Sequence, residues 1–288
     1  MNNTYLNQFF LPSEKDEDTF LFGIRRTCYH GYYPFRFLKG KQPEYFEFGP
    51  VTILYGGNGS GKSTILNVIA QRLDLIRHSV FNSSAFFSKY VNMCCFEGKK
   101  IPEDSQILTS DDVFDYLLNM RYINDGIDFR REELFQEWTD KKRTKPDMNC
   151  LEDYDKWKEF YDAKRMTQSK FVKERLMKNV DIHSNGESAL RYFTDHINEH
   201  ALYLLDEPEN SLAFNLQKEL AEFISASARF YGCQFIIATH SPVLLALKDA
   251  VIYDLDKEPV ATRKWTELGN VREMYEFFEE HREDFFEK

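Results

Sequence analysis

The chain has 288 residues, of which 42% are hydrophobic and 16% are aromatic, so one large domain or two small ones can bury a substantial core. Its formal net charge of −10 gives no sign of a basic surface that coats nucleic acid. No apolar run approaches the roughly 18 residues of a membrane helix, and the first residues lack the layout of a secretion signal. The cysteines are odd in number and form no C-x-x-C pair, which predicts reduced thiols in a cytoplasmic protein.

The first third of the chain leads into a glycine-rich segment. Residues 19–50 mix aromatic, charged and turn residues, and this mixture predicts short antiparallel strands. The apolar run Val51–Tyr55 is typical of a buried strand and continues directly into the glycines. Apolar residues at helical spacing then predict a helix. They are Ile65, Leu66, Ile69 and Leu73.

The middle of the chain changes composition. Residues 97–180 are rich in charged residues with an aromatic every few positions, which predicts a helical insertion, broken near Pro146–Asn149. Strand-like runs return at Ala201–Leu205, Gln234–Ala238 and Val251–Asp254, with a helical pattern between the first two. Alternating strands and helices predict an α/β fold with a mainly parallel sheet and helices on both faces.

The end of the chain, residues 266–288, has the pattern of an amphipathic helix. Its apolar stripe is expected to pack on the core. The stripe consists of Val271, Met274, Tyr275, Phe278 and Phe285. We therefore predict one domain over 1–288, with a core from 19–96 and 181–265, an insertion over 97–180 and a final helix.

The glycine-rich segment fits G-x-x-x-x-G-K-[ST], the phosphate-binding loop of nucleotide hydrolases. It reads Gly56-Gly57-Asn58-Gly59-Ser60-Gly61-Lys62-Ser63-Thr64. Backbone N–H groups of such a loop point at phosphate oxygens in conformations that a side chain would obstruct, and the following helix adds its positive N-terminus. Lys62 is expected to reach the β- and γ-phosphates of ATP, and the Ser63 hydroxyl to ligate Mg²⁺.

Two carboxylates end the strand-like run at 201–205. Asp206 is expected to hold Mg²⁺ through water, because this hard cation keeps part of its hydration shell. Glu207 follows at the strand end, and we assign it as the base or orienter of the attacking water. His240 follows another buried strand, which brings it to the same sheet edge. Its imidazole is expected to donate to the γ-phosphate.

The order of these motifs resembles that of an ABC-class ATPase. Three segments look more narrowly like the compact, stand-alone bacterial ATPases of the AAA-21 and AAA-23 type, relatives of the SMC and overcoming-lysogenization-defect ATPases. The segments are Ser184–Ser188, Leu204–Glu209 and Ile236–Pro242. The resemblance covers roughly residues 20–265. It implies a P-loop NTPase fold of the ABC nucleotide-binding type, with a small antiparallel β subdomain and a helical insertion.

The same resemblance implies a homodimer that closes head to tail around two ATP molecules. Ser184, Gly186 and Glu187 match the signature motif, which contacts the γ-phosphate of the ATP that the opposite subunit holds. A hydroxyl at Ser184, close backbone approach at Gly186 and a helix N-terminus suit that role. The flanks depart from the usual signature, since His183 and Asn185 stand where the family has Leu and Gly.

Two assignments remain open at this level. The glutamine that joins the insertion to the metal site is assigned to Gln106, with Ser110, Asp111 and Asp112 as alternatives. The aromatic residue that stacks on adenine is one of Tyr29, Tyr32 and Phe35, or these belong to the core.

Three hypotheses for the function follow from these motifs. The first is an ATPase that couples Mg-ATP hydrolysis to dimer closure. The second is an ATP-gated binding module or defence-system component, which acts on a partner protein with little turnover of its own. The third is an ATPase stimulated by nucleic acid. Nothing in the sequence marks a surface for coupling to a membrane transporter.

Overall fold

The structure of the protein is a computed structural model. It describes residues 4–25, 28–29, 31–143, 158, 160–161, 164–179 and 184–286. The chain divides into two compact units. Unit 1 comprises Met1–Val113 and Asn185–Lys288, and unit 2 comprises Phe114–Ser184.

Unit 1 contains all the named strands and most of the named helices. The strands are β1 Leu6–Phe10, β2 Phe46–Glu47, β3 Val51–Tyr55, β4 Cys95–Gly98, β5 Gln106–Thr109, β6 Leu202–Asp206, β7 Gln234–Ala238, β8 Val251–Asp254 and β9 Ala261–Thr262. The α-helices among the described residues are α1 Glu14–Phe22, α2 Lys62–Arg72, α3 Phe87–Met93, α4 Ser110–Arg143, α5 Gln168–Lys173, α6 Asn185–His196, α7 Phe214–Phe230, α8 Pro242–Leu245 and α9 Gly269–Glu280.

The main sheet has the order β5-β6-β7-β3-β8-β9 and is parallel except for its last pair. Strands β3 and β7 are buried along their whole length, as expected for a sheet covered on both faces. The register pairs Thr109 with Asp206, and Asp206 with Ala238. The carboxyl ends of β5, β6 and β7 therefore meet at one edge, where the glycine-rich loop also follows β3.

The predicted strands and helices of this core are confirmed. Val51–Tyr55, Gln234–Ala238 and Val251–Asp254 are strands with the predicted bounds, and the strand predicted at 201–205 runs one residue later, at Leu202–Asp206. Helix α2 follows the glycine-rich loop, and α7 lies between β6 and β7. The apolar residues that predicted α2 bury its face: Ile65, Leu66 and Ile69 are fully buried.

The small antiparallel subdomain is present, but it is built from other strands than those predicted over 19–50. Its order is β2-β1-β4. In the described part of 19–50 only the two-residue strand β2 forms, and the segment begins inside helix α1. A cap explains that helix: the Ser13 hydroxyl accepts a hydrogen bond from the Asp16 N–H, and the first turn is acidic.

Unit 2 is helical and has a small apolar cluster of its own. Leu134, Phe171 and Val172 are buried together, and Trp138 packs against them. The guanidinium of Arg175 lies 3.9 Å from the centroid of the Phe171 ring. The unit starts later than the predicted insertion, because residues 97–113 end β4 and form β5 and the first turn of α4 in unit 1. The predicted break at Pro146–Asn149 lies outside the described residues.

The final helix forms as α9, but its apolar stripe does not pack on the core as predicted. Val271 is buried at 8% exposure, whereas Tyr275, Phe278 and Phe285 are 63%, 57% and 68% exposed. The start of the helix is held to the rest of unit 1, since Val271 is buried and the Asn270 N–H donates to the Tyr55 hydroxyl at 3.1 Å. In the described part of the chain, no helix is both long and apolar enough to cross a bilayer.

Candidate nucleotide site

The glycine-rich loop has a backbone that side chains would obstruct. Gly59 and Gly61 have φ angles of 79° and 100°, in the left-handed region that favours glycine. A Cβ on Gly56 would lie 2.5 Å from the Ser60 Oγ, and a Cβ on Gly61 would lie 2.8 Å from the Phe37 ring. The loop therefore has no room for a side chain at Gly56 or Gly61, and it ends at the N-terminus of α2.

Lys62 begins α2 and folds back over the loop. Its Nζ donates to the carbonyl oxygens of Gly56 and Gly57 at 2.8 and 3.1 Å, and the residue is only 5% exposed. Burial lowers the pKa of this ammonium group, and the negative charges of Glu207 and Asp206 oppose that shift. Lys62 is thus a buried cation aimed between the loop and two carboxylates.

Other contacts fix the loop and the first turn of α2. The Gly57 N–H donates to the Asp256 Oδ2 at 2.8 Å. The hydroxyls of Tyr33 and Thr64 lie 3.1 Å apart within hydrogen-bond distance. Asn58 is exposed at the tip of the loop. The predicted loop residues are therefore brought together with Lys62 and Ser63 at one edge of the sheet.

Ser63 and Asp206 meet across this edge. The Ser63 Oγ donates to the Asp206 Oδ1 at 3.0 Å. Burial raises the pKa of Asp206 to about 6, while the bond from Ser63 and the charge of Lys62 act in the opposite direction. The Ser63 hydroxyl and the buried Asp206 carboxylate are both oxygen ligands of the kind that a hard divalent cation prefers.

Glu207 and His240 come from the ends of β6 and β7. The Glu207 N–H donates to the Ala238 carbonyl at 2.9 Å, which joins the two strand ends. The Glu207 Oε2 accepts from the Asn210 Nδ2 at 2.9 Å. Its Oε1 lies 3.6 Å from the His240 Nε2, and this buried nitrogen has no hydrogen-bond partner in the part of the chain that the structure describes. Glu207 and His240 are therefore neighbours, but the distance between them is too long for a normal hydrogen bond.

Glu209 holds the segment that carries His240, and the site residues assigned from sequence did not include it. Its Oε1 accepts from the Thr239 Oγ1 at 2.7 Å, from the His240 N–H at 2.7 Å and from the Ser241 N–H at 3.1 Å. An acid two residues after Glu207, facing a Thr-His-Ser run, is the signal that could have indicated this role. One carboxylate thereby positions the backbone on both sides of the histidine.

The predicted signature residues lie at the start of α6. Ser184 directly precedes the helix, and Ser184, Asn185 and Glu187 are exposed. Gly186 is closely packed, since a Cβ there would lie 2.8 Å from the Leu216 Cδ1 and 3.3 Å from the Ser211 carbonyl oxygen. Gly186 is therefore required for the contact between α6 and the segment before α7. His183 lies outside the described residues.

Gln106 is not brought to the predicted metal site. It begins β5 and pairs with Tyr203, whereas Thr109 at the other end of the strand pairs with Asp206. Three residues of strand separate the two ends by about 10 Å. The Gln106 Nε2 donates instead to the His196 carbonyl at 2.5 Å. Of the alternatives, Asp111 is exposed, and Asp112 is buried beside Thr109.

The three candidate adenine-stacking residues contact other aromatic rings of unit 1, although Tyr32 is exposed. Phe35 is 7% exposed and stacks on Phe20 with ring centroids 4.7 Å apart, so it belongs to the core. Tyr29 and Tyr32 contact the Phe86 ring with centroids 4.7 and 5.3 Å apart. None of the three has a described contact with the glycine-rich loop.

The residues of this edge fit ATP and Mg²⁺. The glycines leave a cradle that a Cβ would fill, as polyphosphate binding requires. Beside it, the buried Ser60 Oγ and His240 Nε2 have no hydrogen-bond partner among the described residues. A bound phosphate would supply acceptors to such groups, whose burial otherwise costs free energy. Among the described residues there is no group of three His, Cys, Asp or Glu that could hold a metal without such a ligand.

Comparison with solved structures finds similar proteins at low identity. An SMC head domain from Pyrococcus furiosus, bound to the C-terminal domain of ScpA, is 14% identical, with 96% of this chain and 99% of that chain covered and a TM-score of 0.44. An SMC head domain from Thermotoga maritima is 14% identical, with 91% and 99% covered and a TM-score of 0.40. A nucleotide-free ATP-binding cassette from an ABC transporter is 16% identical, with 94% and 99% covered and a TM-score of 0.43.

Two protein-family models match parts of this chain. Among curated proteins, none matches the chain. The family described as "AAA domain, putative AbiEii toxin, Type IV TA system" matches residues 180–246. The family described as "ABC transporter" matches residues 45–210, which is more than half of the chain and runs from β2 past the carboxylates that end β6. The chain therefore belongs to this family and is an ABC-type P-loop ATPase domain.

Proposed function

We propose that this protein binds Mg-ATP and hydrolyses it between two head-to-tail copies of the chain, so that nucleotide state controls dimer closure. The observation that carries this proposal is the pairing of Glu207 with His240 at the edge where the glycine-rich loop presents Lys62 and Ser63. A phosphate-binding loop alone can serve a binding module. Hydrolysis also requires groups that orient the attacking water and stabilise the charge on the γ-phosphate, and an acid and an imidazole beside the loop can serve these two purposes.

Lys62 and Ser63 serve the binding step in this proposal. Lys62 exchanges its contacts with two loop carbonyls for β- and γ-phosphate oxygens, as an ammonium on a P-loop can do. Ser63 and Asp206 hold the metal ion, which when bound offsets the charge of the phosphates. Since burial makes the charge of Asp206 costly, a cation at this carboxylate relieves that cost.

Glu207 and His240 serve the chemical step. Glu207 accepts a hydrogen bond from the attacking water and orients it. The Asn210 amide holds one of its carboxylate oxygens, which leaves the other on the side of His240. The His240 Nε2–H donates a hydrogen bond to the γ-phosphate. Glu209 fixes the backbone around the histidine, so the imidazole needs little reorganisation.

The signature residues act on the second copy. The start of α6 presents Ser184 and Glu187 at an exposed position with a helix N-terminus behind them. Backbone N–H groups and a hydroxyl at such a terminus suit a phosphate. The γ-phosphate then joins the two chains, and its loss releases them, which is an order switch of the kind that nucleotide hydrolysis drives.

The proposal includes a cytoplasmic setting, in which the free thiols of Cys28, Cys94, Cys95 and Cys233 stay reduced. Burial raises the pKa of the Cys94 thiol to about 12, so this cysteine is an inert part of the core.

Steady-state ATP turnover tests the proposal. The variants are Glu207→Gln, Lys62→Ala and, as a matched control, Glu222→Gln on the exposed face of α7. Glu207→Gln is expected to keep Mg-ATP binding and to lose about 10²- to 10⁴-fold in turnover, the usual value of a general base. Lys62→Ala is expected to lose binding, and Glu222→Gln to behave as the unchanged protein.

The competing hypotheses give different results. If the unchanged protein turns over ATP no faster than Lys62→Ala while it binds ATP, the chain is a nucleotide-gated binding module. If turnover requires DNA or RNA and this stimulation falls steeply with salt, nucleic acid is the partner. Turnover in Glu207→Gln equal to that of the unchanged protein contradicts the proposed role of the glutamate.

A further inference from the structure

A second set of polar side chains lies next to the proposed metal site, and the roles proposed above do not use it. The N–H and the Oγ1 of Thr109 donate to the Asp112 Oδ2 at 2.7 and 2.8 Å. The Ser79 and Thr109 hydroxyls lie 3.0 Å apart within hydrogen-bond distance. Because Thr109 pairs with Asp206 in the parallel register, this cluster sits beside the carboxylate proposed to hold Mg²⁺.

Asp112 has one satisfied oxygen and one unsatisfied oxygen. The residue is 4% exposed, and its Oδ1 is buried without a hydrogen-bond partner among the described residues. A buried carboxylate oxygen in this condition is costly, and it is stabilised when a donor reaches it. The structure thus holds an acceptor that lacks a donor one strand away from Asp206.

Arg77 is the cation on this side of the site. Its Nη2 donates to the Asn67 Oδ1, and its guanidinium carbon lies 4.3 Å from the centroid of the Phe81 ring. Asn67 follows Ser63 by one turn of α2, so both residues lie on the same face of that helix. Arg77 is therefore placed along the helix from the Ser63–Asp206 contact.

Two carboxylates act on Arg77 without forming an ion pair with it. Burial lowers the pKa of its guanidinium, and the charges of Asp112 and Asp206 oppose that shift, in that order of size. Among the described ion pairs, Arg77 contacts neither carboxylate. The guanidinium thus lies within the field of both and is bound to neither.

We propose that Arg77 is a positioning residue that pairs with the free oxygen of Asp112 when Mg-ATP is bound at Asp206. A divalent cation at Asp206 takes up that carboxylate as its ligand, so Asp206 no longer competes with Asp112 for Arg77. Asp112 is then the favoured partner, and its unsatisfied oxygen gains a charge-assisted hydrogen bond. This inference rests on the proposed function, because it requires a nucleotide-bound metal at Asp206.

The proposed pair of Arg77 and Asp112 would act on the first turn of helix α4. Asp112 lies in the first turn of this helix, which begins in unit 1 at Ser110 and continues along the chain as part of unit 2. Pairing with Arg77 would hold that first turn to the nucleotide site only while Mg-ATP is bound. Arg77 and Asp112 thereby give this chain a link from the metal site to the start of its helical insertion, in place of Gln106.

Hydrogen exchange of the backbone amides in residues 109–113 tests this link directly and does not depend on turnover. Exchange is compared with ATP plus Mg²⁺ and with ATP plus EDTA. The unchanged protein is expected to exchange about tenfold more slowly with Mg²⁺, a coupling of ordinary size. Arg77→Gln and Asp112→Asn should each lose that Mg²⁺-dependent slowing. The control Asp115→Asn, an exposed acid one turn further along α4, should keep it.

Two further variants separate a link from a purely structural role. Arg77→Lys keeps the positive charge and should retain part of the slowing. The double variant Arg77→Gln with Asp112→Asn should lose no more than either single variant, since one interaction is removed in each case. Slowing that survives in both Arg77→Gln and Asp112→Asn overturns the inference.

The failure of the inference can be told apart from failure of the proposed function. Mg-ATP affinity is measured on the same samples by equilibrium dialysis. Binding that persists with unaltered slowing in the variants overturns the link alone. If the unchanged protein does not bind Mg-ATP, the proposed function and the link are both wrong.

Discussion

The Nε2 atom of His240 lies 3.6 Å from the Oε1 atom of Glu207, just beyond hydrogen-bond distance. The two residues follow adjacent strands, and the Glu207 N–H is bonded to the Ala238 carbonyl on the neighbouring strand. Glu207 has a φ angle of 48°, in the left-handed region that favours glycine. A non-glycine residue held there costs about 1–3 kcal/mol, and such strain is concentrated at functional sites.

Replacement of His240 should impair catalysis more than binding. In His240→Ala, the donor facing the γ-phosphate is lost, and one such donor is worth about 10²–10³ in rate. We expect turnover to fall by that factor while Mg-ATP affinity changes by only a few fold. His281→Ala is the control, because His281 lies at the exposed end of α9. Equal effects of His240→Ala on affinity and turnover would argue for a binding role only.

Replacement of Glu209 should have the same catalytic effect by another route. Glu209→Ala removes the acceptor for the Thr239 hydroxyl and for two backbone N–H groups. The Thr239 hydroxyl and the His240 N–H then lose their acceptor, at a cost of about 1–3 kcal/mol in the free energy of unfolding, while the Ser241 N–H keeps its bond to Thr239. We expect lower turnover with His240 still present, together with a lower denaturant midpoint. A variant with lower stability and normal turnover would show that Glu209 has no influence on His240.

The loop glycines should differ from glycines elsewhere. Gly61→Ala forces a φ of 100° on alanine and places its Cβ 2.8 Å from the Phe37 ring, so ATP binding should be lost. Gly40→Ala is the matched control: its φ is also positive, at 77°, but nothing lies within 4 Å of the added Cβ. Gly40→Ala should cost only the conformational strain of about 1–2 kcal/mol and keep ATP binding. Fluorescent nucleotide titration and urea unfolding measure both effects.

The stability of the nucleotide-free protein should depend on pH through Asp206. Burial raises the pKa of this carboxyl from 3.8 to about 6. Between these pH values the folded state binds more protons than the unfolded state, so stability falls as pH rises through this range and stays lower above it. Asp206→Asn cannot ionise. It should therefore stabilise the protein by about 3 kcal/mol near pH 8 and by less near pH 5.

Urea unfolding without nucleotide or metal, at about pH 5 and pH 8, measures this difference. The exposed Asp115→Asn should show no gap that grows with pH. A gap between Asp206→Asn and the unchanged protein that is the same at both pH values would mean that Asp206 titrates normally.

The sequence predicts which residues meet at this edge of the sheet, because its signals there are local. Glycines, Lys62 and Ser63 occur at fixed spacing, and the strands before Asp206 and His240 are short apolar runs with few alternatives. Parallel strands bring their carboxyl ends to one edge, so the meeting of Glu207 with His240 follows from the strand pattern. Glu209 was harder to identify, because its acceptors depend on how the segment after β7 bends back.

The errors arise where one long-range contact decides the outcome. Gln106 has the residue type expected near the metal, but strand register places it at the far end of β5. Asp112 could have been preferred to Gln106 as the residue near the metal site only with the knowledge that β5 ends at Thr109. The antiparallel subdomain pairs β1 with β4 across more than 80 residues, which no local pattern reports. The capping signal at Ser13 and Asp16 was local and would have predicted α1.

The central claim is that Mg-ATP closes two copies of this chain around the residues at the edge of the sheet. The most direct test is the solution mass of Glu207→Gln by light scattering, with and without Mg-ATP. We predict a monomer without nucleotide and a dimer with Mg-ATP, and no dimer when Ser184→Arg is added to block the exposed start of α6. A mass that ignores Mg-ATP, in a variant shown to bind it, would contradict the account.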